Sequence, residues 1–113
     1  MDAQRRMMRR VPFRAYVNQV QSGIPSICRG VDLSHGGICV EQVMGPQQSE
    51  QALVSLEFQL PTTDEVLLAR GQIVHRDGRR VRVRFTNISS RHQAMLDGYL
   101  DATRLAMQSI GMP

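Results

Sequence analysis

Apolar and polar positions alternate through most of the chain. Behind Pro12, the residues Phe13, Ala15 and Val17 alternate with Arg14, Tyr16 and Asn18, the period of a half-buried strand. Ser22-Gly23 signals a turn, and residues 24–31 read as a second strand, with Pro25 near its start, where a missing donor is tolerated. Asp32 to Gly37 reads as a polar turn ending in Gly36-Gly37. Residues 38–43 read as a third strand, closed by Gly45-Pro46.

The second half repeats the pattern. Leu53, Leu56, Phe58 and Leu60 mark a strand that stops at Pro61. Residues 66–76 form a longer one, with Gly71 inside it as a bulge or bend signal. Asp77-Gly78 is a tight-hairpin signal, and after it Val81, Val83 and Phe85 alternate with Arg80, Arg82 and Arg84. From Ser89 the period changes: Leu96, Tyr99, Leu100, Thr103 and Met107 fall at helical spacing, and Ser90 with Gln93 forms a capping-box pattern. Six or so strands followed by one helix at about 89–108 predict a mainly β fold, a small antiparallel barrel with a C-terminal α-helix.

Length agrees with one domain: 113 residues can bury roughly two thirds of their unfolded surface. The expected organisation is a flexible Arg-rich arm over 1–11 and a barrel domain over 12–110. No apolar run approaches the ~20 residues of a membrane helix, and none follows the first arginines as in a signal peptide. A cytoplasmic protein is expected.

Charge changes the picture. All 14 basic residues are Arg, with no Lys, against 10 acids. Residues 1–14 hold Arg5, Arg6, Arg9, Arg10 and Arg14 against Asp2, so the net +4 resides there. Arg presents a planar fork that fits phosphates and guanine edges, which points to an anionic, nucleotide-like partner. Arg80, Arg82 and Arg84 read instead as a solvated strand face, and so do Asp97 and Asp101 on the helix.

Enzyme chemistry finds no support. His35, His75 and His92 are scattered, no HExxH or GxSxG is present, and no phosphate-binding loop can end in Lys. Cys28 and Cys39 lie among Ile27, Ile38 and Val40 and read as buried, reduced thiols. No cofactor or metal is expected.

Two local constellations remain. Arg6-Met7-Met8-Arg9-Arg10 places two arginines four apart just before the first strand, and Asp32-Leu33-Ser34-His35-Gly36-Gly37 lies between the second and third. Together they resemble the PilZ domain, whose signature is RxxxR followed by [D/N]xSxxG. Arg6 and Arg10 match the first element; Asp32, Ser34 and Gly37 match the second. Arg5 and Arg9 offer the same spacing in another register, less favoured because the family's second Arg directly precedes the first strand.

The resemblance implies a six-stranded antiparallel PilZ-type β-barrel and a bacterial receptor for cyclic di-GMP, held as an intercalated dimer in many family members. It implies ligand contacts from Arg5, Arg6, Arg10, Asp32, Ser34 and Gly37, with Arg9, Arg29 and His35 as further candidates. A downstream effector protein would read the ordered arm. Two other readings stand beside it. One is a PilZ-like adaptor that binds only proteins. The other is an Arg-rich barrel for single-stranded nucleic acid, against which the 4% aromatics and absent Trp argue.

Overall fold

The computed structural model describes residues 10–47 and 49–109, without the Ser109 side chain. Arg5, Arg6 and Arg9 lie outside the described residues. Seven strands and a helix follow one another among those described: β1 (Val11–Pro12), β2 (Tyr16–Gln21), β3 (Ile24–Ser34), β4 (Gly37–Met44), β5 (Leu53–Gln59), β6 (Val66–Asp77), β7 (Arg80–Ile88) and α1 (Ser90–Ser109).

Every pairing is antiparallel, in the order β3-β2-β5-β6-β7-β4, and β4 pairs back onto β3 to close the barrel. β1 continues β2 along the same edge of β3: Val11 faces Leu33, Tyr16 faces Arg29, and the Phe13 N–H donates to the Val31 carbonyl between them (3.1 Å). β1 and β2 thus act as one interrupted strand, and the barrel is six-stranded. Val11, which the sequence reading placed in the arm, is 1% exposed and part of the core.

Alternation holds because one face of each strand fills the barrel. Val17, Cys28, Leu33, Val40, Leu56, Leu67, Ile73 and Val81 are all fully buried. α1 closes one mouth with Leu96 and Leu100, each contributing on the order of 1.5–3 kcal/mol by burial. Its Tyr99 meets Phe13 edge to face, with ring centroids 6.4 Å apart. Ser89, rather than Ser90, caps this helix: its Oγ accepts from the His92 N–H at 3.1 Å. No helix among the described residues is long and apolar enough to cross a membrane.

Two turns matter to the site. Gly78 adopts φ +59° in the two-residue turn joining β6 to β7, as Asp77-Gly78 predicts. Between β3 and β4 the sequence predicts a six-residue turn, yet only His35 and Gly36 lie outside the strands. Asp32 and Ser34 pair with Cys39 and Gly37, so they are strand residues.

Candidate ligand-binding site

Residues directly opposed in an antiparallel ladder point to the same face, so the register assembles the site. Ile38 and Val40 enter the core, which turns Cys39 and its neighbours Gly37 and Glu41 outward. Three cross-strand rows result on the outer face. Tyr16, Arg29, Glu41, Arg80 and Asp77 form the first. Pro12, Asp32, Cys39, Arg82 and His75 form the second. Ser34, Gly37, Arg84 and Gln72 form the third.

Of the sequence-selected residues that are described, Arg10, Arg29, Asp32, Ser34 and Gly37 therefore meet on one face. Arg10 Nη1 lies 3.3 Å from Asp32 Oδ1, both side chains partly exposed. Ser34 Oγ donates across the turn to the Gly37 carbonyl at 3.3 Å. Arg29 joins the same face beside Tyr16, an aromatic 68% exposed that alternation alone marked only as outward. Arg80, Arg82 and Arg84 are exposed as expected, yet they border Asp32 and Ser34 across β4 and do not form a separate patch.

Cys39 is the floor of the middle row and only 2% exposed. Burial pushes its thiol above the ordinary value, Asp32 adds to the rise, and Arg80, Arg82 and Arg10 oppose it. One buried thiol is thus ringed by the charges of the site.

Two of these residues make contacts that the sequence reading did not give. The resemblance places Gly37 among the ligand contacts, and a Cβ there would strike the Val83 carbonyl oxygen of β7. Its smallness serves the contact between β4 and β7. His35, a further ligand candidate by the resemblance, has a side chain 16% exposed and clasped by α1. Its Nδ1 meets Asp97 Oδ1 at 2.5 Å, and Arg104 Nη2 approaches Nε2 at 3.4 Å while pairing with Asp101 at 2.6 Å. Gln93 Nε2 donates to the His35 carbonyl (3.2 Å) and to Asp97 Oδ1 (2.7 Å). The helix face expected to be solvated therefore holds the motif turn. Its spacing, Gln93-Asp97-Asp101-Arg104, was the signal in the sequence.

Among the described residues no three His, Cys, Asp or Glu side chains gather to hold a metal ion. The arrangement can offer guanidinium forks, one carboxylate acceptor and a hydroxyl to a polar anion lying across β3, β4 and β7.

Comparison with curated proteins finds no match. Among solved structures, the Bacillus subtilis inhibitor of motility MotI/DgrA superposes with a TM-score of 0.75 at 17% identity, over 86% of this chain and 50% of that one. The chain thus spans half the length of that protein. The PilZ domain of CeSA from a cellulose-synthesizing bacterium superposes with a TM-score of 0.64 at 20% identity, over 80% of this chain and 96% of that one. Both likenesses concern the fold. The PilZ domain family model matches residues 4–102, from within the arginine-rich start through the barrel and into α1, and by that match the chain belongs to the PilZ domain family.

Proposed function

We propose that this chain is a cytoplasmic receptor for cyclic di-GMP that performs no catalysis and passes its signal to an effector protein. The observation that carries the reading is the junction of Arg10 with Asp32. The second arginine of RxxxR already touches the first residue of DxSxxG, with Ser34 two positions along the same face.

Cyclic di-GMP carries two phosphates and two guanines. Arg10 suits a phosphate, or the O6 and N7 edge of guanine, bidentately. Asp32 suits the guanine N1 and N2 donors, and Ser34 suits base or phosphate. Arg5 and Arg6 would close over the ligand from the chain start, around one molecule or an intercalated pair. Positioning that segment costs on the order of 1–2 kcal/mol per residue in backbone entropy. Charge-assisted hydrogen bonds at about 1.5–3 kcal/mol each offset it. The surface so formed is what an effector would read.

The test is calorimetric titration with cyclic di-GMP at near-physiological salt, with GTP and cyclic di-AMP as controls. Selective, saturable binding is expected. No heat at micromolar ligand overturns the receptor reading and leaves the protein-binding adaptor.

A further inference from the structure

Arg82 stands out among the arginines of β7. Arg80 Nη2 lies 3.9 Å from Glu41, and Arg84 Nη2 donates to Gln72 Oε1 at 3.0 Å. The Arg82 side chain is exposed and makes no hydrogen bond or ion pair among the described residues. It is directly opposed to Cys39, which is directly opposed to Asp32. Asp32 is ion-paired to Arg10, so at this row the uncompensated charge lies on Arg82.

We propose that Arg82 binds a phosphate of the cyclic dinucleotide, so that the ligand lies across β4, over Cys39, with Asp32 at one end and Arg82 at the other. The inference rests on the receptor reading and extends it to a residue outside both motif elements. Two strand spacings of about 4.8 Å separate Asp32 from Arg82, a span of roughly 10 Å that a dinucleotide bridges and a single base does not. Asp32 is an acceptor and suits base donors. A lone cation at the far end suits the ligand's anionic groups, which are its phosphates. The floor between them is a buried thiol, so little water lies beneath the ligand to weaken the charge contact.

The experiment is titration of cyclic di-GMP into the wild-type chain and into Arg82→Ala, Arg82→Lys and Arg70→Ala. Arg70 is an exposed arginine of β6 beside Asn87, outside the three rows. Arg82→Ala should weaken binding about tenfold or more, the loss of one charge-assisted contact. Arg82→Lys should keep most of the affinity, because a point charge serves phosphate but not a bidentate guanine edge. Arg70→Ala should bind as the wild type does. Apo melting temperatures should match across the set, since the Arg82 side chain contacts solvent.

Wild-type binding with Arg82→Ala unchanged overturns this inference and leaves the receptor reading intact. A loss in Arg82→Lys equal to that in Arg82→Ala overturns the phosphate assignment. A loss in Arg70→Ala as large as in Arg82→Ala overturns a local contact in favour of net charge. A wild-type chain that does not bind overturns the receptor reading itself, and this inference with it.

Discussion

His35 and Asp97, sixty-two positions apart, meet at 2.5 Å and join the turn between β3 and β4 to the helix that closes the barrel. Ser34 ends β3 and Gly37 begins β4 on either side of that turn, so the candidate site and α1 share one hydrogen-bonded joint.

Breaking that joint should loosen the helix without unfolding the barrel. Asp97→Ala removes the acceptor of both His35 Nδ1 and Gln93 Nε2. The expected loss is about 1–2 kcal/mol, the net worth of two partly exposed hydrogen bonds. Urea denaturation checks it. Amide exchange should rise in the helix more than in β5 and β6. A uniform rise, or unchanged stability, contradicts the joint.

The two adjacent glycines of the motif should respond in opposite ways. A Cβ at Gly37 collides with the Val83 carbonyl, whereas one at Gly36 meets nothing within 4 Å. Gly37→Ala should cost about 2 kcal/mol or more, because β7 must move against a packed core. Gly36→Ala should stay within about 0.5 kcal/mol, as for an ordinary surface site. Denaturation midpoints compare them directly; equal losses would contradict the packing account of Gly37.

Burial makes Cys28 a high-pH sensor of folding. Its thiol is pushed up to about 11 by desolvation, against the opposing charge of Arg76. Between the ordinary value near 9 and about 11 the unfolded chain loses this proton while the native chain keeps it. Stability therefore falls as pH rises through that window, by about 1 kcal/mol at pH 10. Cys28→Val should lack this part of the fall. The check is denaturation of both proteins at pH 8 and pH 10; identical pH dependence would contradict it.

The barrel was legible because side-chain period is a local property. Val81, Val83 and Phe85 against Arg80, Arg82 and Arg84 encode an inside and an outside, and Asp77-Gly78 encodes the bend before them. The motif turn misled for a local reason too. Asp32 and Ser34 favour turns in isolation, but both edges of β3 are paired here and tertiary hydrogen bonding extends the strand through them. Gly71 borders the register slip between Arg70 and Gly71, and Gly30 borders the one between Gly30 and Asp32, while the slip at Ile73/His75, whose extra residue is Val74, left no sign. Asp97 and Asp101 looked solvated because periodicity tells which face is polar, not what docks on it. The placing of Arg82 beside Asp32 needed β7 to pair with β4, a non-local fact.

The pairing of Arg10 with Asp32 makes the central claim directly measurable. Cyclic di-GMP should be titrated into the wild type, Arg10→Ala, Asp32→Ala and the double variant. The account predicts selective wild-type binding, with each single variant weakened about tenfold or more. The double variant should lose less than the two single losses combined, as residues in contact do. Wild-type affinity retained in both single variants would contradict the site.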